Sequence, residues 1–216
     1  MAKKSKRKRK LRKGRIVMAV IIVAAIVIMS CLVVKRINQN SEAKKVKNLA
    51  EIKIPDWIDS QIIDVDGASR NGYKLKGVKD IVVHYVGNPG TTAQQNHDFY
   101  AGNQSNVSSH FVVGLDGEII QCIPINEWSA ASNWRNNDTI SIEVCHPDET
   151  GKFKKKTYSS LVKLVAWLEN VCDIDESHVI RHYDITKKEC PRYFVQHEDK
   201  WKTFKKNIEK YRLAHY

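Results

Sequence analysis

The chain has 216 residues and a formal net charge of +12, which at first suggests a nucleic-acid partner. The charge is local, however, because residues 1–15 carry ten Lys or Arg and no acid. Removing those ten charges from +12 leaves +2 for all other residues, so the sequence excludes a broadly basic protein and predicts no nucleic-acid partner.

The basic residues 1–15 run directly into residues 16–34, a stretch of nineteen residues without a charge. As a helix this stretch would be about 28 Å long, close to the hydrocarbon thickness of a bilayer. Because more basic residues precede it than follow it, we expect a single-pass transmembrane helix with a cytoplasmic N-terminus and the remainder outside the cell membrane. A cleaved signal peptide and a lipoprotein modified at Cys31 are the alternatives, and the length of the apolar run favours the uncleaved anchor.

Residues 35–56 are polar and predict a stalk, and residues 57–216 predict one domain. A domain of about 160 residues is large enough to bury a hydrophobic core. The cysteines after the anchor form no Cys-x-x-Cys pair, so a disulfide scaffold is not expected.

Strands and helices alternate in the sequence pattern of this domain. Short apolar runs bounded by Gly, Asn or Pro predict strands, and apolar residues spaced three or four apart predict helices. The predicted strands cover residues 62–65, 81–86, 110–113, 118–123, 139–145 and 179–182, and the predicted helices cover residues 92–100, 158–173 and 196–211. Asp116-Gly117 lies between two of these strands and is typical of a hairpin. The alternation indicates an α/β fold with a mixed sheet.

Three residues have the chemistry of a metal site. His84 and His182 each end a predicted strand, and Cys190 follows His182 by eight residues, directly before a proline. Two neutral imidazoles and one thiolate would hold a zinc ion and leave a position open for water. From the spacing alone, a hydrogen-bonded structural role for each histidine remains the alternative.

Four sequence motifs resemble those of the type 2 N-acetylmuramoyl-L-alanine amidases, a family that includes phage and bacterial autolysins and the animal peptidoglycan-recognition proteins. The motifs follow the order of the family within residues 62–195 and comprise Ile81–Tyr85, Ser108–Pro124, Asn136–Cys145 and Arg181–Pro191. The resemblance implies a central mixed sheet flanked by helices. It also implies hydrolysis of the amide between N-acetylmuramic acid and L-alanine in peptidoglycan, with Zn²⁺ held by His84, His182 and Cys190.

Glu143 and Lys188 are the catalytic candidates. Glu143 lies on a predicted strand at a position where family members carry an acid, and a carboxylate there can move a proton from water to the leaving amine. Lys188 matches a family position where a lysine near the metal stabilises the oxyanion. The alternatives are a salt-bridged structural role for Glu143 and a solvated loop charge at Lys188.

His110, Trp128 and Asn88 are expected to contact the substrate, with a core position as the alternative for His110 and Trp128. Two departures from the family pattern concern the site. Ser109 stands where some members have a tyrosine that contacts the reaction centre, so that role is absent or moved. Many relatives read Trp-His-Ala-Gly where this chain has Trp128-Ser129-Ala130-Ala131, and the missing histidine affects contacts on the substrate side rather than the metal.

A non-catalytic peptidoglycan-binding receptor on the same fold is the competing function. Receptors of that kind typically lack the cysteine ligand, so Cys190 favours the enzyme. The expected partners are peptidoglycan and, through the N-terminal helix, the membrane, and the protein is expected to be a monomer. The stem-peptide preference and the biological role do not follow from the sequence.

Overall fold

The computed structural model describes residue 18 and residues 20–35, 49–65, 69–102 and 105–216. These residues belong to two units, one within Met1–Glu42 and one within Ala43–Tyr216, and each unit is described by itself. The predicted basic head, residues 1–15, lies outside the described residues.

In the first unit, residues 20–35 are helical. Within this helix the Ser30 hydroxyl donates a hydrogen bond of 2.8 Å to the Ile26 carbonyl. Among the residues that the structure describes, no helix has the length and apolar character needed to cross a membrane. The predicted span, residues 16–34, begins at positions outside the described residues, and the anchor stays a prediction.

The second unit contains a six-stranded mixed sheet. In chain order its strands are β1 (Asp59–Ser60), β2 (Asp80–Val83), β3 (Phe111–Val113), β4 (Ile119–Gln121), β5 (Thr139–Val144) and β6 (Val179–Arg181). Across the sheet they lie in the order β1-β4-β3-β5-β2-β6. Strands β3 and β4 form the predicted antiparallel hairpin, and the other neighbouring pairs are parallel. The predicted α/β fold with a mixed sheet is therefore confirmed.

The helices described in this unit are α1 (Ala93–Ala101), α2 (Lys155–Cys172), α3 (His182–Thr186), α4 (Arg192–Gln196) and α5 (Glu198–His215). Helix α1 begins with a capping box, in which the Thr92 side chain accepts from the Gln95 N–H and the Gln95 side chain accepts from the Thr92 N–H. Helix α2 begins three residues before its predicted start at Tyr158, because the preceding lysines are good helix formers.

Helices cover both faces of the sheet. Side chains of successive strand residues point to opposite faces. Phe111 and Val113 of β3 belong to the core cluster that includes residues of α2 and α5. Val112, between them, belongs to the cluster that includes Ala93 and Tyr100 of α1. The sheet thus has an apolar core on each side, as the motif resemblance implies.

One predicted strand is wrong. Residues 62–65 have no strand pairing, and the strand in this region is Asp59–Ser60. The chain does continue along the end of β4, since the N–H groups of Gln61 and Ile63 donate to the carbonyls of Gln121 and Cys122 at 3.0 Å each. These bonds fall past the end of the two-residue pairing of β1 with β4, so the segment is not a strand.

Part of the predicted stalk, residues 35–56, packs onto the domain. Leu49 is 3 % exposed and belongs to the larger core cluster, and Ile52 and Ile54 pack against that cluster. Residues 36–48 lie outside the described part of the chain. The packed domain therefore begins before residue 57.

The parallel strands of the sheet bring three chain positions to one edge. Strand β2 pairs in parallel with both β5 and β6, so the carboxyl ends of all three strands meet there. His84 directly follows β2, Glu143 is the penultimate residue of β5, and His182 directly follows β6. The fold therefore places candidate ligands and a candidate base next to one another.

The contact between α2 and α5 contains a buried acid. The Glu169 side chain is fully buried, and its Oε2 lies 3.3 Å from Nε of Arg212. Burial raises the pKa of Glu169 to about 7, although the positive charge of Arg212 lowers it. An ordinary glutamate pKa in the unfolded chain is about 4.3. Folding therefore favours the protonated carboxyl, which adds to the stability of the folded state. This stabilisation is fully present below about pH 4.3 and is lost as the pH rises through about 7.

A Glu169→Gln variant tests this pH dependence. As the pH rises from about 5 to 7, we expect the free energy of unfolding of the wild type to fall more steeply than that of the variant, by about 1 kcal/mol per pH unit. Urea unfolding at three pH values in this window measures both slopes. Parallel slopes would show that Glu169 does not titrate between the folded and unfolded states.

Candidate metal and catalytic site

Three side chains with metal-binding atoms meet at the edge of the sheet. His84, His182 and Cys190 offer ligand atoms that all lie within 4.8 Å of one another. The centroids of the two imidazole rings are 4.6 Å apart. All three side chains are buried. The structure thus brings together the three ligands predicted from the sequence.

Backbone hydrogen bonds hold these positions. The His84 N–H donates to the Ile142 carbonyl at 2.8 Å, which extends the pairing of β2 with β5 by one residue. His182 is the first residue of α3. The Tyr183 N–H donates to the Cys190 carbonyl at 2.9 Å, so the segment with Cys190 is fixed against α3. The three ligands therefore sit on backbone that the sheet and α3 hold in place.

Both histidines are neutral near pH 7. Burial, together with the charges of His182 and Lys188, lowers the pKa of His84 well below its usual value. Burial and the charge of Lys188 also lower the pKa of His182. A neutral imidazole is the form that binds a metal ion.

The polar atoms of the site fit a divalent metal ion. Among the described residues, Nε2 of His84 and Oε2 of Glu143 are buried without a hydrogen-bond partner. A bound ion is one of the accepted explanations of such atoms. Burial raises the pKa of the Cys190 thiol, whereas a bound divalent cation favours the thiolate. Two imidazoles and one thiolate are a donor set that suits transition metals.

Glu143 lies against the candidate ligands. Its Oε1 is 3.9 Å from Nδ1 of His84, and its side chain is 19 % exposed. Burial raises the pKa of Glu143 to about 8, although the charge of Lys188 lowers it. A carboxyl group with a pKa near neutrality can both accept and donate a proton. The role of Glu143 in proton transfer stays a prediction, with a salt-bridged structural glutamate as the alternative.

Lys188 brings a positive charge to the same place. It is exposed and lines the cavity described below. Its charge lowers the pKa of His84, of His182 and of Glu143. A cation in this position can stabilise negative charge on a carbonyl oxygen, and the oxyanion role stays a prediction.

The candidate site opens into a cavity of about 910 Å³. The three ligands, Glu143 and Lys188 all line it. Further polar and aromatic residues of the lining were not predicted from the sequence, namely Tyr85, Tyr100, Asn106, Asn133 and Asn136. Tyr100 comes from α1 and Asn133 from the loop before β5, so their place at the site depends on tertiary packing.

His110 does not reach this cavity. It is fully buried, its Nδ1 accepts from the Ser141 N–H at 3.0 Å, and its Nε2 lies 2.8 Å from the Glu127 carbonyl. Because both ring nitrogens are bonded inside the protein, no group remains for a substrate. The structure corrects the predicted substrate contact to the alternative, a core histidine.

Trp128 and Asn88 also lie outside the lining of the cavity. The Trp128 indole N–H donates to the Lys74 carbonyl at 3.1 Å, and its ring packs edge-on against Tyr73. Asn88 is exposed, and its carbonyl accepts from the Thr91 hydroxyl at 2.8 Å. The structure therefore does not bring these two predicted residues to the site.

Comparisons with known proteins show which proteins this chain resembles. A family profile described as N-acetylmuramoyl-L-alanine amidase matches residues 74–193, which include the three ligands, Glu143 and Lys188. The chain is 29 % identical over 164 residues to the N-acetylmuramoyl-L-alanine amidase CwlL of Bacillus licheniformis. It is 31 % identical over 168 residues to the N-acetylmuramoyl-L-alanine amidase BlyA of Bacillus subtilis (strain 168). Each alignment covers 68 % of this chain and 45 % of the relative, so the chain spans less than half the length of these relatives.

A solved structure resembles the same region. A mutant endolysin from Bacillus subtilis superposes with a TM-score of 0.62 at 31 % sequence identity. The match covers 70 % of this chain and 97 % of that chain. The central sheet flanked by helices is thus shared with a protein of solved structure.

Proposed function

Because this chain belongs to the N-acetylmuramoyl-L-alanine amidase family, we propose that it is a zinc-dependent hydrolase of the amide bond between N-acetylmuramic acid and L-alanine in bacterial peptidoglycan. The observation that carries this proposal is the convergence of His84, His182 and Cys190 beside Glu143 in one cavity. Zinc is the metal proposed, because histidine nitrogen and cysteine sulfur are its usual ligands and three of them leave a position open.

The residues of the site have separate roles in amide hydrolysis. When bound to His84, His182 and Cys190, zinc supplies Lewis-acid chemistry, since it acidifies water and polarises a carbonyl group. Glu143 accepts a proton from the attacking water and delivers it to the leaving nitrogen of L-alanine, and its burial raises its pKa from that of an ordinary glutamate, which strengthens it as a base. Lys188 stabilises the negative charge that develops on the carbonyl oxygen.

A non-catalytic peptidoglycan receptor is the second candidate. It would need the cavity but not a complete ligand set or a base. Cys190 completes the group of possible ligands. The raised pKa of Glu143 is typical of catalytic carboxyl groups in cavities. Both features support the enzyme over the receptor.

Product analysis with the purified full-length protein tests the proposal. Incubation with cell walls should release free amino groups without new reducing sugar ends, and a zinc chelator should abolish this release. Zinc bound at about one ion per chain is expected in the active protein. Wall binding without amine release by the zinc-loaded protein would instead support the receptor.

Trp134 is a candidate contact for the glycan or peptide. It is 69 % exposed and lies between Asn133 and the cavity-lining Asn136 in the sequence. An exposed indole offers a large flat surface to a sugar ring or peptide.

We expect Trp134→Ala to raise KM for cell walls about 3–10-fold with little change in kcat, by loss of about 1 kcal/mol of binding free energy. Trp134 does not itself line the cavity, and Tyr216→Ala, which removes an aromatic ring 52 % exposed directly after α5, is the matched control. An equal KM for both variants would exclude Trp134 from substrate binding.

The proposed location is the outer face of the cell membrane. The charge-free residues 16–34 after ten basic residues support an anchor with a cytoplasmic N-terminus. Membrane fractionation and protease digestion of intact cells without a wall test this arrangement. Recovery of the full-length chain outside the membrane fraction would exclude the anchor.

A further inference from the structure

Asn133 touches one of the candidate metal ligands. Its side-chain Oδ1 lies 2.9 Å from Nε2 of His182. Asn133 itself is exposed and lines the cavity. It was not among the residues singled out by the sequence motifs, and it comes from the short 3₁₀ turn Asn133–Arg135 in the loop before β5.

This hydrogen bond selects one form of the imidazole. A neutral histidine carries its proton on either Nδ1 or Nε2, and the nitrogen without the proton has the lone pair that can bind a metal. A carboxamide oxygen only accepts hydrogen bonds, so Oδ1 of Asn133 requires the proton on Nε2. The lone pair of His182 is then on Nδ1, the nitrogen not bonded to Asn133.

The backbone of Asn133 is suited to this contact. Its φ of 54° lies in the left-handed region, which asparagine tolerates better than most residues. The neighbouring loop is held by side chains on both sides of this residue. The Ser132 N–H donates to Oδ1 of Asn136 at 2.6 Å, and Arg135 is paired with Asp138 at 2.7 Å.

Arg135 also joins the loop to the sheet. Its guanidinium forms an ion pair with Asp80, the first residue of β2. The Thr139 hydroxyl at the start of β5 donates to the Arg135 carbonyl at 2.8 Å. Strand β2 leads directly to His84, so the loop with Asn133 and the strand with the first ligand are fixed to each other.

We propose that Asn133 is a positioning residue that holds His182 in the Nε2–H form, with Nδ1 available to the metal. This inference rests on the proposed zinc site. Metal-binding histidines generally donate their other ring N–H to a carbonyl, carboxylate or water, and loss of that partner typically weakens metal binding by about 10–100-fold. Here the side-chain amide of Asn133, from the loop before β5, accepts the hydrogen bond from the Nε2–H of His182.

Three variants separate the hydrogen bond from the fold of the loop. Asn133→Gly removes the acceptor and keeps the left-handed backbone free of strain. Asn133→Asp keeps an acceptor oxygen at nearly the same place. Asn137→Ala changes another asparagine of the same loop, one that does not line the cavity, and serves as the matched control.

The first measurement is the tautomer of His182 in the metal-free full-length protein. Long-range ¹H–¹⁵N spectra of the imidazole distinguish Nε2–H from Nδ1–H. We expect the Nε2–H form in the wild type, in Asn133→Asp and in Asn137→Ala, and a mixture of both forms in Asn133→Gly. An Nε2–H form that is unchanged in Asn133→Gly would overturn the inference.

The second measurement is zinc affinity, obtained by competition with a chromophoric chelator. We expect Asn133→Gly to bind zinc about 10–100-fold more weakly than the wild type, and Asn133→Asp and Asn137→Ala to stay within about threefold. Wild-type affinity in Asn133→Gly would refute the role of Asn133 and leave the zinc site standing. Failure of the wild type itself to bind zinc would refute the proposed function.

Discussion

Replacing Glu143 with glutamine should lower kcat for the hydrolysis of cell-wall amides by about 10²–10⁴-fold. Glutamine has nearly the same shape as glutamate but cannot accept a proton from water. The carboxyl group lies beside the candidate ligands, with its Oε1 3.9 Å from Nδ1 of His84, so its loss removes the proton carrier nearest to the reaction. Zinc content and wall binding should stay close to those of the wild type.

The measurement is a comparison of kcat, KM and bound zinc for the wild type and Glu143→Gln. Glu149→Gln is the control, because Glu149 is an exposed acid shortly after the same strand, with a side chain 85 % exposed. The control should keep wild-type kcat. If Glu143→Gln retained kcat within about threefold, Glu143 would not be the general base. A loss of zinc along with activity would mean that Glu143 organises the ligands instead.

The fold was predictable where the sequence pattern is local. The apolar run that contains β2 stops at a Gly-Asn-Pro-Gly segment, and the Asp116-Gly117 step joins β3 to β4 as expected. The strand predicted for residues 62–65 is wrong because its apolar residues do not share one buried face: Ile63 is buried although no strand forms there, whereas Ile62 and Val65 are exposed. Whether such a short segment forms a strand depends on contacts with the neighbouring strand, and the local sequence pattern contains no information about that partner.

The site was predictable only in part. His84, His182, Cys190, Glu143 and Lys188 occur in recognisable motifs, and the structure brings all five to one cavity. The predicted substrate contact of His110 depended on which face of the sheet its side chain points to. In the structure the side chain points into the core, where it is hydrogen-bonded to Ser141 and Glu127. Tyr100 and Asn133 reach the cavity through the packing of α1 and of the loop before β5, and no motif of the sequence marks them.

Replacing Cys190 with alanine should remove the metal and the activity together. Cys190 is a free, buried thiol, 2 % exposed, and its ligand atom lies within 4.8 Å of those of His84 and His182. Alanine leaves only two protein ligands, fewer than the three of catalytic zinc sites. Because loss of a partner that merely orients a ligand weakens zinc binding by about 10–100-fold, loss of the ligand itself should exceed about 100-fold. Bound zinc per chain and amine release from cell walls are the two measurements.

Cys122→Ala is the matched control for this variant. Cys122 is also a free and buried cysteine, but it packs in the core cluster on the α1 side of the sheet and does not line the cavity. Both substitutions remove one sulfur atom from the interior, so both should lower the stability by a similar small amount, about 1–2 kcal/mol. Only Cys190→Ala should lose zinc. Zinc binding that survives in Cys190→Ala would exclude the proposed ligand set. If zinc were lost while amine release continued, the reaction would not depend on the metal. Glu143 and Lys188 would then have to act in a metal-independent mechanism.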